Sequence, residues 1–329
     1  MIQLRIFRNT DPPALLDIWN ESFTGRGAYP LRSAALLEHC LFSKPYFDHA
    51  GLILAEDEGK AVGFVHAGFG PNSAETGLSF DTGIICTLAV RPTFRRRKIG
   101  SQLLQEAEAY LRHLGAARIV AGGMRPLNPF YFGLYGGADS PGFLASDALA
   151  QPFFEHHGFQ PVATTLVFER KLEGYQPVID PRFVALRRRY DVQLIPQPEI
   201  QSWWQECVLG NFEPVEFRLQ DKLSGITAAR ALVWEMSGGR QPGHGAAGIL
   251  TVQVRPDVQR QGLAKFLLNQ MIRYIQEQFF RTSEVHIPEQ NEPMIELFKS
   301  LGFERVDLGR SYHNPSEASH PTAAPSPPA

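Results

Sequence analysis

Apolar and polar positions alternate at the start of the chain, then change period. Leu4 to Phe7 reads as a strand. From Pro12 onward Leu15, Leu16, Ile18 and Trp19 fall on one side of a helix that Thr10 or Asp11 can cap. A second helix is expected around Ser33 to Leu41. Leu52 to Ala55 and Ala61 to Phe69 alternate again, joined by a turn at Asp57–Gly59, which predicts a hairpin. Ile84 to Val90 is the next apolar strand. Beyond it Ile99, Leu103, Leu104, Ala107, Leu111 and Leu114 recur at helical spacing. Arg118 to Ala121 is a short strand, and Phe159 to Arg170 is a long one rich in β-branched and aromatic residues.

The same order then repeats. Tyr190 to Ile195 reads as a strand and Glu199 to Leu209 as a helix bearing Trp203 and Trp204. Val215 to Leu219 and Thr227 to Met236 form a strand pair, and the glycine-rich run from Ser237 to Gly248 is expected to be a flexible turn. Ala247 to Val254 is a strand, followed by a helix with Leu263, Phe266, Leu267, Met271, Tyr274 and Ile275 on one face. Asn291 caps a last helix, with Pro293 in its first turn and Ile295, Leu297, Phe298 and Leu301 facing inward. Aligning Pro92 with Pro256 gives an offset of 164, whereas aligning Gly158 with Gly302 gives 144. The first half thus holds 20 extra residues, which fall within Gly122 to Ser146. That stretch is dominated by glycine, proline and aromatic residues and reads as a structured loop, either packed between the halves or forming a pocket wall with Tyr131, Tyr135 and Phe143.

Two stretches carry the repeat most sharply, VRPTFRRRKIG from Val90 and VRPDVQRQGLA from Val254. Each runs from a strand through a proline that ends the ladder, a basic turn, and the first turn of a helix. The free N–H groups and positive dipole end of such a helix form an anion site, and the basic side chains add charge to it.

These residues resemble motif A of the GCN5-related N-acetyltransferase (GNAT) superfamily, in which Gln or Arg is followed at fixed spacing by Gly and then by Gly or Ala. Gln259, Gly262 and Ala264 fill the three places in the second copy; Arg95 and Gly100 match in the first, with Lys98 where glycine is usual. The C-terminal run from Val285 to Val306 resembles motif B of the same superfamily, with helix-initial Asn291 and a closing Gly-Phe pair. The resemblance implies an α/β (α+β) fold: two GNAT-like domains, each a mixed, mostly antiparallel sheet flanked by helices. The boundaries expected are 1–172 for the N-terminal domain with its extra loop 122–146, 173–189 for a linker, 190–313 for the C-terminal domain, and 314–329 for a disordered tail of proline, serine and alanine. It also implies transfer of an acyl group, most simply acetyl, from acetyl-CoA (acyl-CoA) to an amine by direct attack, with no metal.

The donor would lie along Leu88, Ala89, Val90, Arg95, Arg96, Arg97, Lys98, Ile99 and Gly100, and along Val252, Gln253, Val254, Gln259, Arg260, Gln261, Gly262, Leu263, Ala264 and Asn291. The second copy is the better match to the motif, and one half of a tandem protein is expected to be active while the other is structural. A tyrosine usual in motif B, four residues before the glycine, is Phe154 in the first half and Phe298 in the second. Phenylalanine cannot protonate a departing thiolate, so water or another group does so, or one half binds without turnover. For a base, Asp81 at the start of the first motif A strand and His66 on its neighbour are the candidates. Cys86 has no His or Asp at a recognisable spacing and reads as core.

Composition narrows the alternatives. Hydrophobic residues make up 43% and charged residues 20% of 329 residues, an ordinary globular balance that suggests two domains. A net charge of −2 argues against nucleic acid or an anionic membrane as partner of the whole surface. The N-terminus lacks the apolar core of a secretory signal, and three cysteines at unrelated spacings, Cys40, Cys86 and Cys207, read as reduced thiols, so a cytoplasmic location is expected. The acceptor expected is a small-molecule or peptide amine. A non-catalytic acyl-CoA sensor and a scaffold of degenerate domains are the rival classes.

Overall fold

The structure is a computed structural model that describes residues 1–236 and 245–315. The expected turn from Ser237 therefore lies outside the described residues as far as 244, and the expected tail does so from 316. In chain order the elements of the first half are β1 (Ile2–Ile6), α1 (Pro12–Ser22), α2 (Ala35–Leu37, continued by a wider turn at Glu38–Phe42), β2 (Leu52–Asp57), β3 (Lys60–Pro71), β4 (Leu78–Val90), α3 (Ile99–His113), β5 (Arg118–Ala121), β6 (Phe143–Leu144), α4 (Ala150–His156) and β7 (Gln160–Lys171). The second half runs α5 (Arg182–Arg189), β8 (Tyr190–Pro196), α6 (Trp203–Leu209), β9 (Val215–Asp221), β10 (Thr227–Met236), β11 (Ala246–Val254), α7 (Leu263–Glu277), β12 (Thr282–Pro288), α8 (Glu292–Ser300) and β13 (Glu304–His313).

Local details depart from the sequence reading where a competing bond is stronger. Asp11 makes no side-chain cap to α1, because its carboxylate is taken by the Arg5 guanidinium at 2.7 and 2.8 Å and by the Arg8 N–H at 2.6 Å. Helix α6 begins at Trp203 rather than Glu199, since Ser202 supplies the cap through Gln205 N–H at 3.1 Å. The stretch expected to be a plain connection, 173–189, contains α5, whose Phe183 packs edge-on against Phe266 of α7 with ring centroids 5.2 Å apart.

All strands belong to one sheet, in the order β1-β2-β3-β4-β5-β13-β7-β12-β11-β10-β9-β8, with β6 attached to β13. The pairs β4–β5 and β11–β12 are parallel; the rest are antiparallel. The halves exchange their last strands. First-half β7 pairs with β12, and second-half β13 pairs with β5, while β7 and β13 pair with each other around Leu166↔Leu308. Tyr312 on β13 consequently belongs to the first half's core, stacked on Phe154 with centroids 5.6 Å apart.

The extra loop binds the halves as well. Its Ala138 carbonyl accepts Trp234 Nε1–H at 2.9 Å, and its Pro126 carbonyl accepts Trp204 Nε1–H at 2.9 Å. Glu284 on β12 lies beneath the loop, accepting the Ala138 N–H at 2.8 Å and pairing with Arg26 of the first half at 2.7 Å. Among the described residues, no helix is long and apolar enough to cross a membrane.

Candidate active site

The two motif A turns adopt one backbone shape. Arg96 and Lys98 have φ of 65° and 61°; their counterparts 164 positions later, Arg260 and Gly262, have 60° and 84°. Left-handed residues two apart turn successive N–H groups to one side, forming a concave anion site at the start of α3 or α7. Lys98 therefore holds the conformation that glycine holds in the second copy. The residue opening each motif also has one role: Arg95 Nε donates to the Val90 carbonyl at 2.9 Å, and Gln259 Nε2 donates to the Val254 carbonyl at 3.2 Å. Each side chain thereby pins its turn to the end of the strand.

Both motif A strands carry a bulge where they leave their parallel neighbour. On β4 the register with β3 steps from His66↔Thr87 to Ala67↔Ile85, leaving Cys86 extra, and pairing with β5 stops at Ile85. On β11 the step from Leu232↔Thr251 to Val233↔Ile249 leaves Leu250 extra, and pairing with β12 stops at Ile249. A bulge at a splay re-aims the strand and frees its edge for a ligand.

At the first-half splay a cavity of about 390 Å³ opens. Its walls include Leu88, Ala89, Val90, Arg95, Arg96, Lys98, Ile99 and Gly100, together with Phe143 and Phe154. Arg97 points away, stacked over Phe94 at 5.0 Å and 3.7 Å from Asp57. Around the second turn the arrangement differs. Arg182, paired with Asp180 at 2.7 Å, lies across Gly262, so that a Cβ there would stand 3.6 Å from the guanidinium carbon. Val252 and Val254 pack against the core, and Gln253 faces a cleft between the halves. Arg260 and Gln261 are exposed, Leu263 is buried, Ala264 is half-buried, and Asn291 caps α8 by accepting the Met294 N–H at 3.3 Å. A cavity thus lies at the copy with lysine in the glycine place.

Neither base candidate, Asp81 or His66, lines this cavity. Asp81 is exposed, bonded to Ser79 Oγ at 3.0 Å, and nine residues along β4 from Val90, roughly 30 Å from the turn. His66 is fully buried, stacked on Phe130 at 4.2 Å, with Nδ1 3.1 Å from the Tyr131 hydroxyl. Burial pushes its pKa down to about 3, so it stays neutral and is unfit to hold a proton taken from an ammonium. The three loop residues separate. Tyr131 is buried against Trp19, with rings 5.4 Å apart; Tyr135 borders a small space beside Cys86; Phe143 lines the donor cavity. Burial pushes the Cys86 thiol well up, consistent with a core residue.

Three residues in the donor cavity wall escaped the sequence reading. Asp147 occupies the place of Asn291 once the offset of 144 is applied, and burial raises its pKa while Arg95 opposes the rise. His157 is 2.8 Å from the Phe153 carbonyl through Nδ1 and 2.9 Å from Ser101 Oγ through Nε2. A carbonyl only accepts, so Nδ1 carries the proton and Nε2 accepts the Ser101 hydroxyl. This bond ties α4 to the first turn of α3 across the cavity. Among the described residues, no group of three or more His, Cys, Asp or Glu side chains is placed to hold a metal ion.

Comparison with known proteins agrees with this geometry. The acetyltransferase (GNAT) family model matches residues 13–135, and a model described as FR47-like protein matches residues 230–311. A tandem GNAT protein from the clavulanic acid biosynthesis pathway superposes with a TM-score of 0.67 at 17% identity, covering 95% of this chain and 98% of that one. A GCN5-related N-acetyltransferase from Sphaerobacter thermophilus superposes at 0.60 and 17% identity, covering 95% of each chain. The chain belongs to the GNAT superfamily and carries two domains of that fold in tandem. Among curated proteins it resembles the [ribosomal protein bS18]-alanine N-acetyltransferase of Escherichia coli K12, 33% identical over 67 residues, which are 20% of this chain and 45% of that protein. The Salmonella typhimurium LT2 protein of the same name is 31% identical over 77 residues, 23% of this chain and 51% of that protein. The chain thus spans about half the length of the curated relatives it matches.

Proposed function

We propose that this protein is an N-acetyltransferase whose first half binds acetyl-CoA and passes the acetyl group directly to an amine. The observation that carries the reading is the conjunction at β4: an anion-binding turn, a bulge at Cys86 and a cavity of about 390 Å³ along the freed strand edge. The backbone N–H groups from Arg96 to Gly100, with Lys98 and Arg95, would hold the pyrophosphate. The freed edge of Leu88 to Val90 would hold the pantetheine arm and polarise the thioester carbonyl. The neutral amine forms a C–N bond, the C–S bond breaks, and the proton lost from nitrogen ends on the sulfur of coenzyme A. A thiolate with pKa near 8.5 leaves without an acid at modest cost, which makes Phe154 in place of tyrosine tolerable. In the second half an Asp180–Arg182 ion pair lies across the turn, and a carboxylate there opposes a pyrophosphate; we assign that half a supporting role.

A second reading is a non-catalytic acyl-CoA sensor. Phe154 and Phe298, both buried and without a hydroxyl, favour it. Calorimetric titration with acetyl-CoA, on wild type and on Gly100→Trp and Gly262→Trp separately, tests the donor site. A tryptophan at Gly100 would project from the cavity wall, where the Phe153 ring already lies 3.1 Å from an added Cβ. Binding should be lost with Gly100→Trp alone. Loss with Gly262→Trp alone would move the donor to the second half. Binding without release of coenzyme A thiol for any amine would establish the sensor.

A further inference from the structure

Beyond the donor cavity two further spaces lie within the first half and between the halves. Where β4 leaves β5, Cys86, Gly122, Asn128, Tyr135 and Ser140 enclose a space of about 30 Å³, room for one water-sized group. Beyond it a cleft of about 180 Å³ opens between the two halves, walled by Glu75, Arg125 and Asn128 of the first and by Trp204, Arg230 and Gln253 of the second. Asn128 is the wall shared by the two spaces. It is 3% exposed; its Nδ2 donates to Ser140 Oγ at 3.3 Å, while its Oδ1 has no hydrogen-bond partner. A buried carbonyl oxygen without a protein donor can accept from a water or from the N–H of a ligand. Farther out, Arg230 has no ion-pair or hydrogen-bond partner among the described residues, whereas neighbouring Glu216 is already bound by Arg218 Nε at 2.6 Å. The cleft therefore offers an unpaired guanidinium at its second-half wall and an unpaired acceptor at its inner end.

We infer that the acceptor enters through this inter-half cleft and is a small amine that also bears a carboxylate. The carboxylate is held by Arg230, and the amine is guided past Asn128 to the thioester at Cys86 and Leu88. This rests on the first half being the donor site. The second half then serves the first by supplying the outer wall of its acceptor path. Tyr135 lines the small space and Phe143 the donor cavity, and their rings lie 6.4 Å apart.

The test is release of coenzyme A thiol from acetyl-CoA with the common L-amino acids as acceptors, against spermidine and glucosamine as amines without a carboxylate. Turnover is expected with amino acids alone. Arg230→Gln should raise KM for the amino acid by about tenfold or more while kcat and the acetyl-CoA Kd hold. Gln253→Trp, at an exposed second-half position, should fill the cleft and abolish turnover with acetyl-CoA binding intact. Equal turnover of spermidine or glucosamine, an unchanged KM in Arg230→Gln, or acetyl-CoA binding with no amino acid turned over would each overturn the acceptor assignment alone. Absence of acetyl-CoA binding in the wild type would overturn the donor reading and this inference with it.

Discussion

Glu284→Gln should destabilise the whole chain by about 3–4 kcal/mol at pH 7. Glu284 is 4% exposed and sits where the loop, β7 and β12 meet, accepting the Ala138 N–H at 2.8 Å and His286 Nε2–H at 3.1 Å and pairing with Arg26 at 2.7 Å. Burial alone would raise its pKa. The His286 hydrogen bond, the Arg26 charge and the Ala138 N–H outweigh burial and hold it at about 2, against an ordinary 4.5. At about 1.4 kcal/mol per pH unit, that gap corresponds to about 3.5 kcal/mol. Removing one member of a buried ion pair ordinarily costs about 3–5 kcal/mol. The low end applies, because Arg26 keeps Glu169 at 2.9 Å. Since the folded-state pKa lies below the unfolded one, the contribution is complete above about pH 4.5 and disappears as the pH falls through about 2. Urea unfolding followed by tryptophan fluorescence at a series of pH values would measure it. Wild type and variant should differ at pH 7 and converge toward pH 2. A loss below about 1 kcal/mol at pH 7, or a gap unchanged down to pH 2, would refute the reasoning.

Three further outcomes are expected. Lys98→Gly should raise stability by about 1 kcal/mol in a thermal melt, because it relieves a left-handed lysine; a lower Tm would mean that the lysine side chain contributes more than its backbone strain costs. The His66 imidazole should show no NMR titration between pH 8 and 5, since burial holds its pKa at about 3; an inflection near 6 would show that water reaches it. Tyr312→Ala, at a position 2% exposed, should cost about 3–5 kcal/mol. It should also weaken acetyl-CoA binding to the first half, and unchanged calorimetric affinity would contradict the shared core.

Local periodicity revealed most of the elements, and the offset of 164 revealed two copies of one phosphate turn. A motif records residue types, whereas the shape of the turn depends on φ, which is positive at both Lys98 and Gly262. The sequence carries no trace of which half keeps its turn open, since Arg182 reaches Gly262 from a segment that looked like a connection. Asp147 was within reach, because the 144 offset places it at Asn291, but a carboxylate in the asparagine position did not draw the eye. The exchange of β7 and β13 was beyond reach. Both are strong apolar strands after a Gly-Phe pair, and nothing in their alternation says whether β5 or β12 will be the neighbour.

The exchanged strands also govern how the chain can be made. Ala121 of β5 pairs with Tyr312, so 191 residues must be synthesised after Ala121 before the first half gains its neighbouring strand. At about 5–20 residues per second, the ribosome holds an open sheet edge for roughly 10–40 s. A premature stop before β13 would thus disable the first half even though every residue of its phosphate turn had been translated. The nascent chain is a natural client for chaperones that shield unpaired strands.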